Sequence, residues 1–225
     1  MLTMFKAEIF DRANVGTDEQ REKLIKQILR GKDKNENPMG YTNIDCWRGR
    51  PNLDMQWLAG EVQTMTDQAV GYYAMRNKVY KEEVKDLRHL SYDYWVNVNE
   101  PGSRNMMHSH CAFHYAAIYY LQATDTGCLI MSNPANKLSE CNPGSPYTGD
   151  VYIDPKDGDL FLWPAWVPHE VDVNKSDKQR INIAFNTNRR TKLRIRECLE
   201  LYLVINEWLA KTSILENQVS IQNGK

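Results

Sequence analysis

Apolar residues recur along this chain with three different rhythms. Up to about residue 89 the rhythm is helical. Leu24, Ile25, Ile28 and Leu29 fall on one face, Thr17 with Gln20 three positions on reads as a capping box, and Gly31 follows the face as a stop. A second helix is predicted over 53–73, where Leu58, Val62, Met65, Ala69 and Tyr72 repeat at helical spacing. The intervening stretch 32–51 is polar and rich in turn formers, so it reads as a loop. From about 90 to 188 the rhythm shortens to short runs of Tyr, Val, Ile and Phe separated by Pro, Gly, Asn and Asp. Strands are predicted at 92–99, 105–111, 115–122, 128–132, 151–154, 159–163, 169–173 and 180–186. The stretch 133–149, with its prolines and glycines, is a surface loop over one mouth of the strand region. A third helix is expected at 193–212, where Leu199, Tyr202, Val204, Ile205, Trp208 and Leu209 cover more than a narrow stripe. Packing on the sheet accounts for that breadth, with a homodimer contact as a second use of it, and the last dozen residues are expected to fray.

The number and spacing of the strands fit a β-sandwich, jelly roll or barrel flanked by helices. A chain of 225 residues suits one domain, expected over 1–225. Its parts are a helical N-terminal support (1–89), a β core (90–188) and a C-terminal helix and tail (189–225). With 28 basic and 29 acidic residues the net charge is −1, which argues against a nucleic-acid or anionic-lipid partner. The basic run around Arg189, Arg190, Lys192, Arg194 and Arg196 reads as a solvated face. Cysteines 46, 111, 128, 141 and 198 form no CxxC pair and no even framework, which points to reduced thiols. With no signal-like N-terminus and no apolar run near the ~20 residues of a membrane helix, a cytoplasmic location is the expectation.

The chemistry concentrates in the histidines. Of five, His108, His110 and His114 lie close together. Residues two apart on a strand share a face, so His108 and His110 point into one space if 105–111 is extended. Two imidazoles converging in this way suit a transition metal that prefers nitrogen. His169 follows a predicted strand and a turn containing Pro164 and Pro168, which is how a distant third ligand returns to the same end of a sandwich. Further on, Arg180, Asn182, Ala184 and Asn186 alternate with Ile181, Ile183 and Phe185. An arginine on an inward face is costly unless a carboxylate meets it, and a planar guanidinium suits bidentate capture of one. Metal and organic anion would then lie side by side. Glu170, next to a ligand on its strand, points away.

Taken together, His108-x-His110, the Tyr119-Tyr120 strand, Gly158-x-Leu160 leading to Trp163-Pro164, His169-x-Val171 and Arg180 leading to Phe185-Asn186 resemble the iron(II)- and 2-oxoglutarate-dependent oxygenases. The likeness is to an uncharacterised bacterial and phage group within them. Asn43 to Trp47 and the Trp95-x-Asn97 pair add to it, so it spans about residues 40–188. The resemblance implies a double-stranded β-helix, a cupin-like jelly roll. It implies iron(II) held by His108, His110 and His169, and 2-oxoglutarate held through its distal carboxylate by Arg180, with Asn182 beside it and Tyr120 as a hydrogen-bond donor. It also implies oxygen as a co-substrate, release of succinate and carbon dioxide, and hydroxylation of a small-molecule or peptidyl substrate.

One position departs from the wider superfamily, which has a carboxylate where His110 stands. Either His110 ligates and makes the centre more positive, or it does not ligate, or His114 takes its place. Two other functions fit the same residues. One is a three-histidine cupin-type dioxygenase that needs no 2-oxo acid and uses Arg180 on its substrate. The other is a non-catalytic jelly-roll binding protein.

Overall fold

The structure is a computed structural model that describes residues 7–35, 43–76, 90–110, 112–133 and 149–189. The predicted C-terminal helix, most of the 133–149 loop and Cys111 lie outside these residues.

Two helices and nine strands are described: β1 (Phe10–Arg12), α1 (Asp18–Asp33), β2 (Asn43–Gly49), α2 (Gln56–Arg76), β3 (Leu90–His108), β4 (Tyr115–Gln122), β5 (Leu129–Met131), β6 (Val151–Ile153), β7 (Leu160–Pro164), β8 (His169–Val171) and β9 (Arg180–Arg189). The capping box at α1 is real. Thr17 Oγ1 accepts from the Gln20 amide at 3.2 Å, and Gln20 Oε1 accepts from the Thr17 amide at 2.9 Å. Such a cap contributes about 1 kcal/mol. Gly31 does not end the helix, which continues to Asp33 with Gly31 buried inside it.

The strands run β1-β7-β4-β9-β3-β8-β5-β6, with β2 also on β3, and every pair is antiparallel. The sheet folds over itself because β3 serves two layers. Its first part pairs with β9 through Asn99↔Arg180, and its end pairs with β8 through Asn105↔Val171 and His108↔His169. The corner falls at Pro101-Gly102, where Gly102 takes φ +87. Asn174 locks it there: its carbonyl accepts from the Gly102 amide at 2.7 Å and its amide donates to the Ser103 carbonyl at 2.9 Å. A strand that bends from one layer into the other is how a curled sandwich makes its corners. The result is the jelly roll with flanking helices.

Two apolar clusters occupy the two faces of the β4–β9–β3 layer. On one face Val96, Val98, Ala117, Tyr119, Ile181, Ile183 and Phe185 meet Leu24 and Ile28 of α1 and Leu58, Val62, Met65 and Ala69 of α2. On the other, Ala116, Ile118 and Tyr120 meet Leu129, Met131, Phe161, Trp163, Val167 and Val171 inside the sandwich.

Two expectations need correction. The segment 32–51 is not simply a loop, since β2 occupies Asn43–Gly49 and pairs with β3 from Asn43↔Asn105 to Gly49↔Val96. Its apolar rhythm is missing because Asn43 and Arg48 line a cavity and a bulge at Asp45 (φ 54) breaks the alternation. The segments 92–99 and 105–111 are parts of one bent strand, which ends at His108 rather than at 111. The remaining strands start and stop within a few residues of their predicted places.

Candidate metal centre and co-substrate pocket

His108 is the last residue of β3 and stands directly across the ladder from His169 on β8. Their ring centroids are 4.3 Å apart. His110 joins them by a route that strand parity does not describe. It lies past the end of β3, and its amide donates to the Ala165 carbonyl at 2.8 Å, which ties it to the turn after β7. Its ring stacks against His169 (5.1 Å, 16° between planes) and against Trp95 (5.6 Å, 29°). One ligand atom from each of the three histidines lies within 4.8 Å of the others. His114 stays outside this cluster. It is exposed and lines a separate shallow pocket with Tyr73, Tyr115, Pro164 and Trp166.

Hydrogen bonds set two of the tautomers. His108 Nδ1 faces the Met106 carbonyl at 2.7 Å, and His169 Nδ1 faces the Val167 carbonyl at 3.0 Å. A carbonyl only accepts, so each Nδ1 carries the proton and each Nε2 keeps its lone pair for a cation. The Nε2 atoms of His110 and His169 are 3.3 Å apart. With metal–nitrogen bonds of about 2.1 Å, adjacent donors around one ion sit roughly 3.0–3.4 Å apart, so this spacing is one edge of a coordination polyhedron. Burial keeps all three imidazoles neutral, as ligation requires. It pushes His169 down to about 3, with the neighbouring His108 adding to the shift. His110 is pushed down to about 4 by burial, then by His108 and Arg48, and His108 is lowered mainly by burial.

The histidines open on a cavity of about 380 Å³ between the layers, which Trp95, Asn97 and Asn182 also line. An amide ladder organises its floor. Asn43 Nδ2 donates to Asn97 Oδ1 at 2.9 Å, and Asn97 Nδ2 donates to Asn182 Oδ1 at 2.8 Å. With its oxygen occupied, Asn182 has its amide N–H groups left to offer. Tyr120 stands across the ladder from Asn182, and Arg180 precedes Asn182 on the same face of β9. Both are fully buried and neither lines the cavity itself.

Among the described residues no carboxylate meets Arg180. Its Nη1 donates to the backbone carbonyls of Thr126 at 2.6 Å and Asp172 at 3.2 Å. Among the described residues, its Nε and Nη2 and the Tyr120 hydroxyl are buried without a hydrogen-bond partner. Orphaned donors of this kind cost roughly 1–3 kcal/mol each, more when charged, so the fold holds them at a loss unless an anionic ligand completes them. Burial also lowers the Arg180 pKa and raises that of Tyr120. A nitrogen-donor triad suited to iron, beside unsatisfied donors suited to a carboxylate, fits a metal and a 2-oxo acid bound together.

Residues 93–186 match the family model described as "Putative 2OG-Fe(II) oxygenase". Over that segment the chain is similar to the iron(II)- and 2-oxoglutarate-dependent oxygenases. Among solved structures this oxygenase is similar to a prolyl-4-hydroxylase from Pseudomonas putida (16% identity, 81% of this chain and 93% of that one, TM-score 0.53). It is also similar to a Trichoplax adhaerens prolyl hydroxylase solved with a hypoxia inducible factor peptide fragment (15%, 80% and 83%, TM-score 0.56). A third is SnoK, an alpha-ketoglutarate-dependent carbocyclase of nogalamycin biosynthesis (12%, 80% and 78%, TM-score 0.53). At these identities the likeness is one of fold, and it is the jelly roll. No curated protein matches the chain by sequence. The oxygenase is an enzyme that uses iron(II) and 2-oxoglutarate, and no helix among its described residues is long and apolar enough to cross a membrane.

Sequence reasoning missed the cavity's outer wall. Arg48 and Asn43 on β2 and Arg50 just beyond it line the cavity, and Arg48 stands 4.4 Å over the Trp95 ring. The Asn43–Trp47 run was the available signal, but the rhythm around it reads as a loop. Glu170, by contrast, is absent from the cavity lining.

Proposed function

We propose that His108, His110 and His169 hold the iron(II), and that Arg180 takes the distal carboxylate of 2-oxoglutarate. The observation that carries this reading is the joint placement of three ligand atoms within 4.8 Å and a buried guanidinium with two unanswered donors. Iron(II) bound there would supply the site at which 2-oxoglutarate and oxygen meet, coupling decarboxylation to oxidation of a second substrate. The chain's own residues bind and orient. Arg180 fixes one end of the co-substrate, where a guanidinium buried among backbone carbonyls gains most from an anion. Tyr120 donates its hydroxyl, and Asn182 its amide, once the Asn97 ladder has set the direction of that amide. Trp95 and Trp163 exclude water from the imidazoles, each packing on a histidine ring. The second substrate is a small molecule or a peptidyl side chain admitted to the remaining space, and hydroxylation with release of succinate and carbon dioxide is the outcome.

The test is spectroscopic. Anaerobic protein loaded with iron(II) is expected to develop a metal-to-ligand charge-transfer band on addition of 2-oxoglutarate. Iron bound with no such band would overturn the reading and return the cupin-type alternative.

A further inference from the structure

We infer that Asn186 selects the second substrate, and that what it receives is a neutral carboxamide group. This rests on the metal and co-substrate assignments just given. The cavity face of β3, β9 and β4 is laid out in rungs two residues apart, about 7 Å along the strands. One rung is Asn97, Asn182 and Tyr120, with Arg180 on the rung before it. The next is apolar: Trp95, Ala184 and Ile118. The third sets Asp93 beside Asn186 and Ala116, and continues to Trp163 on β7. Trp95 stacks on His110 and Trp163 packs edge-on against His169, so the imidazoles stand over the second and third rungs. The co-substrate reaches them from the Arg180 side. Asn186 lies on the opposite side, which is left to the second substrate.

Asn186 is 5% exposed and lines the cavity, yet among the described residues its Oδ1 has no hydrogen-bond partner. It does not tie down a strand end, because β9 runs on to Arg189. An acceptor kept out of water in this way is completed by a donor from a ligand. Its cross-strand neighbour Asp93 is already met by Arg50 at 2.6 Å, so the buried open acceptor of the rung is the uncharged one. An ammonium would not recover its desolvation there, whereas a neutral N–H would. A carboxamide fits best, because an asparagine side chain carries an acceptor and donors side by side and pairs with another amide through two reciprocal bonds. The indole N–H of Trp163, also buried without a partner among the described residues, ends the same rung as a further donor. Ala116 and Ala184 are small and leave room over this part of the sheet, and Trp95 supplies an apolar wall for the carbon skeleton.

The experiment uses the anaerobic iron(II)–2-oxoglutarate protein and four probes of similar shape. Benzamide and N-methylbenzamide are neutral amides, acetophenone lacks the N–H, and benzamidine carries a positive charge. Titration calorimetry gives the affinities, and a shift of the charge-transfer band places the probe beside the iron. At least one amide is expected to bind about ten-fold more tightly than acetophenone and benzamidine, with a shifted band. The better of the two tells a primary carboxamide from a peptide-type amide. Asn186→Leu keeps the shape without the polar group and should bring that amide and acetophenone to within about two-fold. Asn186→Asp should move the preference to benzamidine. The band, present in both variants with a 2-oxoglutarate affinity within about three-fold of the parent, shows that they are folded. No preference for an amide in the parent, a preference without a band shift, or one that survives in Asn186→Leu overturns the inference. Should Asn186→Leu fail to fold, Asn186→Asp decides, and an unchanged preference for the amide there overturns it. Loss of 2-oxoglutarate binding in folded Asn186→Leu would place Asn186 in the co-substrate site and overturn it too. Absence of the band from the parent is a failure of the underlying iron and co-substrate reading instead.

Discussion

Strands β3, β4 and β9 present two buried faces, and only one of them carries a large polar set. Toward the helices they offer Val96, Val98, Ala117, Tyr119, Ile181, Ile183 and Phe185, all closed against α1 and α2. Toward the sandwich interior the same strands offer, beside Ala116 and Ile118 of β4, a buried polar set: Asn97, Asn99, Tyr120, Arg180, Asn182 and Asn186. Alternation along each strand separates the two sets residue by residue. The helix-side face gains free energy from apolar burial, at about 25 cal/mol per Å². The interior face loses some of it by holding Arg180 and Tyr120 with donors unanswered. The helices are thus more than decoration: they close the face whose stability allows the other to be kept in a state that only ligands complete.

Changes on the helix-side face should cost stability and spare the chemistry. Leu58, on α2, is fully buried in the helix-side cluster. Leu58→Ala is expected to destabilise the protein by roughly 2–5 kcal/mol in chemical denaturation. The charge-transfer band per mole of folded protein should be unchanged. A large loss of iron affinity in this variant would mean that the two faces are not separable.

Changes at the metal should do the reverse. His169→Ala is expected to weaken iron(II) binding by more than about 100-fold, since loss of even a partner behind a ligand costs 10–100-fold. Equilibrium dialysis of the anaerobic protein would check this. His110 sharpens the point. His110→Ala should lose most of the affinity, whereas His110→Asp should retain the metal. Asp restores a negative charge beside it, so 2-oxoglutarate should then bind more weakly than in the parent. Full iron affinity in His110→Ala would remove His110 from the ligand set.

Arg180 tests the comparison at its most exposed point, energetically speaking. Replacing a buried charge by an apolar side chain of similar length is often neutral or stabilising. Arg180→Met is therefore expected to leave the unfolding free energy of the ligand-free protein within about 1 kcal/mol, counting the loss of two bonds to backbone carbonyls. It should still abolish measurable 2-oxoglutarate binding while keeping iron. A strongly destabilised Arg180→Met would show that the guanidinium is a structural strut, and that its two carbonyl contacts matter more than its two open donors.

The same two faces explain how much was legible in the sequence. Helix α2 was readable because Leu58, Val62, Met65 and Ala69 all meet one surface, so packing and periodicity coincide. Strands β4 and β9 were readable because their helix-side residues are apolar at every second position. Strand β2 was not: its cavity-facing residues are Asn43 and Arg48, and the bulge at Asp45 shifts the alternation partway along. His108 and His169 could be anticipated from spacing and the turn before His169. His110 reaches the other two histidines for a reason the sequence does not display, since β3 ends at His108 and a backbone bond to Ala165 carries the chain round. Arg180 was expected to face the carboxylate of a bound organic anion, and the backbone carbonyls of Thr126 and Asp172 that hold its Nη1 are contacts no side-chain pattern encodes. A polar cavity wall reads as a loop whenever function, rather than packing, chooses its residues.

The smallest effect, and the most discriminating, is in pH. An exposed histidine titrates near 6.5, whereas burial holds His110 at about 4 and His169 at about 3 in the folded chain. Their folded values lie below the unfolded one, so the unfolded chain takes up protons first as the pH falls. Stability of the metal-free protein is then level above about 6.5 and declines progressively toward 4 and below. Metal affinity follows a different curve. A proton competes with the ion only for an imidazole in the folded site, and that competition is displaced to well below 6.5. Melting temperatures of the metal-free and cobalt(II)-loaded proteins, measured from pH 8 to pH 4, should therefore fall in parallel between 6.5 and about 5. Their separation reports the logarithm of metal affinity, and it should close only below that range. If the two curves converge between pH 7 and 6, the histidines titrate as solvated side chains, and the interior face is wetter and less committed to its ligands than the burial of His169 implies.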